Sequence, residues 1–334
     1  MKAIVVGLGG RGRGWLKDCM ANPDVEVVAA VEPFAENKNR ASSEFNFPKE
    51  KIHDDLSTAI KKAKADFVVD VTPPAEHEKV ALTAFENGLN VLGEKPLSDD
   101  FDAAKRVVAA GKKAGVKHMI TQNYRWNGQP RTTRKLVAEG QYGPVGQLDI
   151  SFYMSWADIP GSHYVNQPYM FLTDMGIHHF DMMRYVIGQE PETVQAVTWN
   201  LPWGWHKGDA AQIVVFKFPG NLYASHRAVG CTLGKRTGWN GEWRIETQKG
   251  TITWEADKIF HTQEHRADPQ VRTEIPQVTE GLGGPPQLLK DFVQALKDNK
   301  QPECNAEDNL KSMRMVFGAL KSTKEKREVK LSEL

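Results

Sequence analysis

The sequence predicts an α/β domain followed by an α+β domain. At 334 residues the chain is about twice the length of an average domain, and its apolar spacing changes once, near residue 145. Before that point, apolar runs alternate with helix-like segments, which is typical of a parallel sheet covered by helices. After it, apolar and polar residues alternate with period two, as in antiparallel strands with one buried face. We place the domain boundary between residues 122 and 123.

In the first domain, the predicted strands are the apolar runs Ala3–Val6, Val25–Val31, Phe67–Val71, Val91–Leu92 and Lys117–Thr121. Between them lie the helix-like segments Gly12–Met20, Asp54–Lys64, Glu76–Asn87 and Asp99–Ala114. Each helix follows a buried strand, so the elements form βαβ units.

In the second domain, the predicted strands are Gln147–Trp156, Thr193–Asn200, Ala210–Phe218, Leu222–Ala228, Glu242–Thr247 and Thr251–Glu255. Pro219-Gly220-Asn221 is a hairpin turn, and Phe171–Ile187 is a helix that Gly188 caps. Pro286–Lys300 and Ala306–Lys324 are amphipathic helices. The sequence leaves open whether they pack on the first domain or on the second.

The composition is that of an ordinary globular protein. With 43 basic and 42 acidic residues, the net charge of +1 indicates neither nucleic acid nor an anionic membrane as partner. The three cysteines, Cys19, Cys231 and Cys304, show no metal-binding or disulfide spacing. The first residues read as a strand rather than a signal peptide, so we expect a cytoplasmic protein.

A glycine motif lies directly after the first predicted strand. Gly7-Leu8-Gly9-Gly10-Arg11-Gly12 matches GxGxxG and opens a helix, the context in which this pattern indicates dinucleotide binding. One glycine permits the tight turn, one lets the backbone approach a pyrophosphate, and one allows close packing of helix and strand. The helix N-terminus then stabilises the phosphate charge.

An acidic residue follows at the distance that the motif requires. Glu32 ends the second predicted strand, and a carboxylate there accepts both adenosine ribose hydroxyls while repelling a 2′-phosphate. This favours NAD as the cofactor. NADP remains open because nearby cations can hold a 2′-phosphate; they are Arg11, Arg13, Lys38 and Arg40.

Two further segments carry groups suited to proton and hydride chemistry. Lys95, in Gly93-Glu94-Lys95-Pro96, falls at the carboxyl end of a predicted parallel strand, where such sheets bind ligands. Asp174 and His178 are four residues apart and share a helix face, so the aspartate can orient the imidazole as a proton acceptor. The alternatives are an ordinary exposed lysine, a capping aspartate and a packed histidine.

Two metal-binding patterns are disfavoured, so we predict no metal. His178 and His179 are adjacent and cannot both face one ion from a regular helix, although Asp174 and Asp181 lie near. The HxxEH pattern at residues 261–265 must sit on a helix, but here it trails a strand and soon meets Pro269.

The order and spacing of these motifs resemble the Gfo/Idh/MocA oxidoreductases over nearly the whole chain. The matching segments are Gly7–Gly12, Thr72-Pro73-Pro74 with His77, Glu94-Lys95-Pro96, Gln122-Asn123-Tyr124-Arg125, Gly140–Gly146 and Asp174-x-Gly176-x-His178-x-x-Asp181. The resemblance implies an N-terminal Rossmann domain and a C-terminal domain with a large, open, mainly antiparallel sheet. It also implies a homodimer or homotetramer that pairs through the open sheet face.

The resemblance further implies NAD(P)-dependent redox chemistry on a sugar, polyol or related carbonyl, with Lys95, Asp174 and His178 as catalytic residues. The cofactor-binding residues that it implies are Gly7, Gly9, Gly10, Arg11, Gly12, Glu32, Thr72, Pro73, His77, Glu94, Lys95, Gln122 and Asn123.

The second domain is rich in tryptophan, and aromatic faces pack against the C–H faces of pyranoses. A cyclic sugar or glycoside therefore fits, although these rings can equally fill the sheet or an interface. The candidates for substrate contacts are Arg125, Tyr153, Trp156, His163, His179 and Trp205.

Three other functions remain open. A glycoside-cleaving enzyme of this fold retains NAD, oxidises a ring carbon transiently and shows no net redox change. An NADPH-preferring keto-sugar reductase uses the same chemistry in reverse, but Glu32 disfavours it. A non-catalytic NAD-binding regulator is disfavoured by the presence of Lys95, Asp174 and His178.

Overall fold

The computed structural model describes residues 1–158, 162–263 and 270–334, which form two compact units. Unit 1 comprises Met1–Asn123 and Gly283–Leu310, and unit 2 comprises Tyr124–Leu282 and Lys311–Leu334. The first crossing between units lies one residue from the predicted boundary. The later segment returns to unit 1, so the division of the chain is not a single cut.

Unit 1 contains a parallel sheet, and its six strands within the described residues are β1 Lys2–Val6, β2 Glu26–Val31, β3 Ile52–His53, β4 Phe67–Asp70, β5 Asn90–Gly93 and β6 His118–Ile120. Their order is β3-β2-β1-β4-β5-β6, and every neighbouring pair is parallel. This is the doubly wound order whose switch point, between β1 and β4, binds ligands at the carboxyl ends of the strands. The Rossmann prediction is confirmed.

The helices of unit 1 cover this sheet, and they are α1 Gly10–Ala21, α2 Ala35–Phe45, α3 Leu56–Lys62, α4 His77–Glu86, α5 Phe101–Ala114 and, from the returning segment, α8 Pro285–Lys297. Phe292 of α8 meets Phe67 of β4 edge to face, with ring centroids 5.5 Å apart. Because both rings are buried, α8 completes the core of unit 1.

Unit 2 contains a nine-stranded sheet within the described residues, formed by β7 Val145–Tyr153, β8 Thr193–Trp199, β9 Ala211–Phe218, β10 Leu222–Val229, β11 Glu242–Thr247, β12 Gly250–Glu255, β13 Lys258–Gln263, β14 Val271–Ile275 and β15 Val329–Lys330. The strand order is β14-β13-β12-β11-β7-β10-β9-β8-β15. Among these pairs only β7 and β10 run parallel. The predicted large, mainly antiparallel sheet is confirmed.

One face of this sheet is buried and the other is open, as period-two alternation requires. Val194, Val214 and Phe216 are fully buried, whereas Val197 and Ile213 on the opposite face are exposed. The predicted hairpin turn joins β9 to β10, and Gly220 at its tip has φ = 73°. This left-handed conformation explains the glycine.

The remaining helices are α6 Gly128–Ala138, α7 Gly176–Ile187 and α9 Ala306–Glu325. The predicted helix Phe171–Ile187 is not uniform, because Phe171–Met175 forms a π-helical turn before α7 begins. Gly188 caps α7 as predicted, with φ = 74° and an N–H that donates to the Arg184 carbonyl at 2.8 Å. Within the described ranges, no helix combines the length and apolarity needed to cross a bilayer.

Candidate functional site

Two glycines of the loop after β1 are required by packing. Gly7 has φ = 88°, and a Cβ at Gly12 would stand 1.9 Å from the Gly7 carbonyl oxygen. Helix α1 therefore approaches the end of β1 more closely than any side chain would allow. These two residues fix the shape of the loop.

The other two glycines face open space. A Cβ at Gly9 or Gly10 would meet nothing within 4 Å, so their bare backbone leaves room for a ligand. Helix α1 starts at Gly10 and has no acidic residue in its first turn. Its N-terminal amides and dipole thus favour an anion. This cradle fits a dinucleotide pyrophosphate, and α1 begins two residues before the predicted Gly12.

Glu32 braces the same loop from the end of β2. Its side chain is buried, and its two oxygens accept the backbone N–H groups of Leu8 and Phe34, each at 2.9 Å. Each carboxylate oxygen accepts more than one hydrogen bond, so capacity for ribose hydroxyls remains. The acid predicted to contact the ribose thus also holds the glycine loop.

The four cations that left NADP open are each paired with an acid. The pairs are Arg11 with Glu94 at 2.8 Å, Arg13 with Glu44 at 3.0 Å, Arg40 with Glu36 at 2.5 Å, and Lys38 with Asp54. A 2′-phosphate would have to compete with these carboxylates.

Glu94 joins the ends of β5, α1 and β6. Its Oε1 accepts the Trp15 indole N–H at 2.7 Å and Arg11 Nε at 2.8 Å. Its Oε2 accepts the Thr121 hydroxyl at 2.9 Å and the Lys95 backbone N–H at 3.3 Å. Through this carboxylate, the backbone of Lys95 is connected to the first half of helix α1.

Lys95 lies two residues beyond β5, at the carboxyl end of the sheet, and is half-buried. The turn that carries it is anchored by His77, whose Nδ1 lies 2.8 Å from the Pro96 carbonyl oxygen. The His77 Nε2 lies 2.9 Å from the Thr72 carbonyl oxygen. One imidazole thus connects the Thr72-Pro73 loop to the lysine turn.

Gln122 follows β6 at the same end of the sheet. Its side chain is buried, yet both its amide nitrogen and its amide oxygen have no partner among the described residues. Leaving buried polar atoms unpaired costs stability, so this amide is suited to a ligand that supplies a donor and an acceptor. Asn123, also predicted to bind the cofactor, is partly buried and begins a 3₁₀ turn.

In unit 2, Asp174 and His178 do not lie on one regular helix. Asp174 belongs to the π-helical turn and His178 to the first turn of α7, so the predicted four-residue spacing on one α-helical face is replaced by a bulge. Such π-turns are frequent at functional sites. The His178 ring is buried and stacks on Tyr124, with centroids 4.2 Å apart and planes inclined by 14°.

His178 belongs to a group of aromatic rings that contact one another. Burial raises the pKa of Tyr124 and of Tyr164, and the charge of the Asp174 carboxylate raises both further. The ring centroids of Tyr164 and Trp156 are 5.4 Å apart, and Trp156 meets Trp239 edge to face with centroids 5.0 Å apart. Phe152 links Trp239, at 6.3 Å, to His179, at 4.6 Å. We call this group the aromatic cluster, and its members are Tyr124, Phe152, Trp156, Tyr164, His178, His179 and Trp239.

Two predicted substrate contacts are occupied inside unit 2. The Arg125 guanidinium is buried and donates twice to the Asp181 carboxylate, both times at 2.6 Å. His179 is fully buried and has both ring nitrogens within 2.9 Å of polar partners, His226 and the Trp239 carbonyl. Both side chains thus have partners inside unit 2, and their contacts with the substrate stay predictions.

The other substrate candidates lie at different places. Trp156 belongs to the aromatic cluster, and the Trp205 indole N–H donates to its carbonyl oxygen at 2.8 Å. Tyr153 ends β7 and is partly buried. His163 lies in a short 3₁₀ turn, but its side chain is outside the described part of the chain.

The zinc-peptidase pattern falls partly in strand β13. His261 lies in this strand and stacks on Tyr142 at 3.8 Å, so the helix that the pattern requires is not formed there. Glu264 and His265 lie outside the described residues.

Trp239, His226 and Gln212 were not predicted as site residues. They are separated by up to 27 positions: Gln212 and His226 lie on the paired strands β9 and β10, and Trp239 lies in the loop between β10 and β11. The abundance of tryptophan was the one signal for Trp239. Gln212 and His226 carried none, because single buried polar residues on strands have no distinctive pattern.

Comparison with family models identifies both parts of the chain. Residues 1–122 match "Oxidoreductase family, NAD-binding Rossmann fold", and residues 130–253 match "GFO/IDH/MocA C-terminal domain". The two matches follow one another in the order of the family.

Curated relatives match over full length at modest identity. Myo-inositol 2-dehydrogenase of Thermotoga maritima is 26% identical, over 100% of this chain and 99% of that protein. D-apiose dehydrogenase of Paraburkholderia graminis is 22% identical, over 100% of this chain and 90% of that protein.

Among solved structures, an oxidoreductase from Agrobacterium radiobacter in complex with NAD⁺, L-tartaric acid and magnesium superposes with a TM-score of 0.87. It is 17% identical and covers 100% of this chain and 99% of that chain, so this similarity shows the fold. The family matches, the six-stranded Rossmann sheet and the open sheet of unit 2 agree: the chain belongs to the Gfo/Idh/MocA family of NAD-binding oxidoreductases.

Proposed function

We propose that the protein transfers a hydride between NAD and a secondary alcohol or ketone carbon of a cyclic sugar, polyol or glycoside. The observation that carries this proposal is the stacking of His178, four residues after Asp174, on Tyr124 in the aromatic cluster. A proton acceptor bordered by aromatic faces suits a substrate with hydroxyl groups and an apolar C–H face. The relatives named for myo-inositol and D-apiose support this substrate class.

Unit 1 carries the residues proposed to hold the cofactor. The open backbone at Gly9 and Gly10 receives the pyrophosphate, and Glu32 accepts the ribose hydroxyls. The unpaired amide of Gln122 is available to the carboxamide end of the cofactor. The paired cations around β2 make NAD the preferred form.

The chain's residues have distinct roles in the proposed reaction. When bound, NAD accepts or returns the hydride. In the oxidation direction, His178 takes the hydroxyl proton, and Asp174 orients its imidazole. Lys95 donates a hydrogen bond to the same oxygen and stabilises its developing negative charge. These three assignments rest on residue chemistry.

A substrate screen tests the proposal. The protein is mixed with NAD or, separately, NADP, and with myo-inositol, D-apiose, D-glucose, levoglucosan or methyl β-D-glucopyranoside, and nicotinamide reduction is followed by absorbance. We expect turnover with NAD that disappears in Lys95→Ala and persists in Lys113→Ala, which changes an exposed lysine on α5.

Two other results would count against the proposal. Release of methanol from the glucoside without net reduction of NAD would indicate the glycoside-cleaving alternative. A regulator would be indicated if the protein bound NAD but turned over neither the panel compounds with NAD nor their keto derivatives with NADH.

A further inference from the structure

Trp239 presents a partly open indole at the end of the aromatic cluster. The residue is 45% exposed, although it contacts Trp156 and Phe152. It is connected ring by ring to His178 through Phe152, His179 and Tyr124. Trp239 and His178 therefore belong to one aromatic cluster, in which three rings separate them.

A chain of hydrogen bonds holds the backbone of Trp239. Its carbonyl oxygen lies 2.9 Å from His179 Nε2, and a carbonyl can only accept, so the proton of His179 is on Nε2. The Nδ1 of this neutral ring is then an acceptor. His226 Nε2, 2.9 Å away, must donate to it.

The chain of hydrogen bonds ends at Gln212, and the position of each proton along it follows. Since the proton of His226 is on Nε2, its Nδ1 accepts from the Gln212 amide nitrogen at 3.0 Å. All three side chains are buried to 1% exposure or less. Burial lowers the pKa of His179 to about 4 and that of His226 well below its ordinary value, so both rings are neutral at pH 7, as the bonding requires.

The loop around Trp239 is fastened on both sides of this bond. The Thr237 N–H donates to the Tyr153 carbonyl at 3.0 Å, and the Asn240 side-chain amide donates to Gln129 at 2.9 Å. Trp239 therefore has a fixed main chain beneath a partly open ring. A preorganised aromatic surface binds with a smaller loss of entropy than a mobile one.

We propose that Trp239 is the surface on which the C–H face of the substrate's sugar ring packs, and that Gln212, His226 and His179 form a neutral chain that positions it. The inference rests on the proposed function, because it assigns the ring-binding side of that site. Trp203 is a contrasting residue: it is 58% exposed, and its indole N–H bonds to the Cys231 carbonyl at 3.2 Å. Its ring is outside the aromatic cluster.

The first test measures KM, kcat and direct binding for levoglucosan and methyl β-D-glucopyranoside. We expect Trp239→Ala to raise KM and the calorimetric Kd about ten- to thirtyfold, with kcat within about threefold, and Trp239→Phe to raise them less than fivefold. Trp203→Ala, the matched control, stays near wild type. Equal effects of Trp239→Ala and Trp203→Ala, or none, would overturn the inference while turnover upholds the proposed function.

The binding measurement separates the two proposals in the other direction. Binding of either sugar that depends on Trp239 but gives no turnover would uphold the inference and reject the hydride transfer. If neither sugar binds or turns over, the ring-stacking role is rejected, and turnover of another panel member decides the proposed function alone.

The second test addresses the positioning chain. His226→Leu removes the donor to His179, whereas His226→Gln keeps a side-chain N–H at a similar reach. We expect His226→Leu to raise KM about five- to tenfold at nearly constant kcat, and His226→Gln to recover most of this. In wild type, ¹⁵N NMR should show both imidazoles protonated on Nε2.

Thr133→Val is the control for general loss of stability, because it removes the buried bond from the Trp254 indole to Thr133 at 2.8 Å. If His226→Leu and His226→Gln were equally impaired, or if kcat fell together with binding, His226 would have only a structural role. An Nδ1-protonated His179 would likewise overturn the proposed chain.

Discussion

The Tyr124 ring lies almost parallel to the imidazole of His178, with the two centroids 4.2 Å apart. This stacking restricts the plane of the proposed proton acceptor, so Tyr124 orients the ring that we propose meets a substrate hydroxyl. We therefore expect that a flat ring at position 124 matters more than its hydroxyl group. Tyr124→Phe should retain most of the turnover, and Tyr124→Leu should lower kcat about tenfold or more by loosening the imidazole.

The same measurement should include His178→Ala. Loss of the proton acceptor is expected to lower turnover by about 10²- to 10⁴-fold while leaving the NAD affinity nearly unchanged. Steady-state kinetics and calorimetric titration of NAD provide the two numbers. If NAD binding were lost together with turnover, the assignment of His178 to proton transfer would be wrong.

Three glycine-to-alanine substitutions in the glycine loop and in helix α1 should have different effects. Gly9→Ala places a methyl group in the open cradle, so we expect normal folding and at least a tenfold loss of NAD affinity. Gly12→Ala forces the methyl against the Gly7 carbonyl and should cost about 1–3 kcal/mol of unfolding free energy. Gly14→Ala, exposed on the same helix with nothing near its Cβ, should stabilise the protein by about 0.5–1 kcal/mol.

Urea unfolding and NAD titration separate these three cases. Equal loss of NAD affinity in Gly9→Ala and Gly14→Ala would show that the cradle is not the pyrophosphate site.

Glu32→Gln should weaken NAD binding without creating NADP binding. The amide that replaces the carboxylate must turn an N–H₂ group towards one of the backbone N–H groups of Leu8 and Phe34, which displaces the glycine loop. The cations near β2 remain occupied by their acidic partners. Calorimetry with both cofactors measures the change, and Glu50→Gln, at an exposed site, is the control. A variant that bound NADP as tightly as the wild type binds NAD would contradict this expectation.

Three buried histidines should make the protein less stable in mild acid. Burial lowers the pKa of His118 to about 3 and of His179 to about 4, and it also lowers that of His226. The unfolded chain binds these protons near pH 6.5, whereas the folded chain does not until much lower pH. Acidification from pH 7 to 5 therefore favours unfolding.

Each histidine should contribute a slope of up to about 1.4 kcal/mol per pH unit below pH 6.5. Urea unfolding at pH 7.5, 6 and 5 measures the total slope. His226→Gln removes one of these groups and should reduce the slope by up to about 1.4 kcal/mol per pH unit, the equivalent of one proton. An unchanged slope would mean that His226 is protonated in the folded protein.

The open face of the unit 2 sheet is the surface through which we propose that two copies of the chain associate. Val197 and Ile213 are directly paired across β8 and β9 and are 58% and 44% exposed, and Tyr223 on β10 is 43% exposed. Ile213→Glu should convert a dimer or tetramer to a smaller species, because it places a charge in this apolar row. Leu233→Glu, at 76% exposure in the loop after β10, is the control. Light scattering after gel filtration measures the mass, and a monomeric wild type would contradict the proposal.

Local sequence patterns predicted most of the fold. The alternation of apolar runs and helices specified the parallel sheet, and the glycine spacing located the loop before α1. The helix α2 was not predicted, since Ala35–Phe45 is mostly polar and buries only Ala41. Strands β13 and β14 were also missed, because β14 is largely exposed and lacks a buried alternation.

The site was predicted less completely than the fold. Lys95, Asp174 and His178 lie in recognisable motifs, and their catalytic roles stay predictions. The interior positions of Arg125 and His179 depend instead on Asp181, His226 and the Trp239 carbonyl. Partners distant in sequence leave no local pattern, and neither does the π-helical turn at Asp174, whose extra residue is visible only in the backbone.

The double task of Glu32 constrains how this protein could diverge from its relatives. A carboxylate that supports the glycine loop, and that we propose also receives the ribose, cannot be exchanged for a small or basic residue without new support for Leu8 and Phe34. A lineage that adopted the phosphorylated cofactor would need at least two coordinated changes, one at position 32 and one that releases a cation from its acid. We therefore expect a change of the proposed preference for NAD to require pairs of substitutions, and laboratory evolution towards NADPH should begin from such pairs.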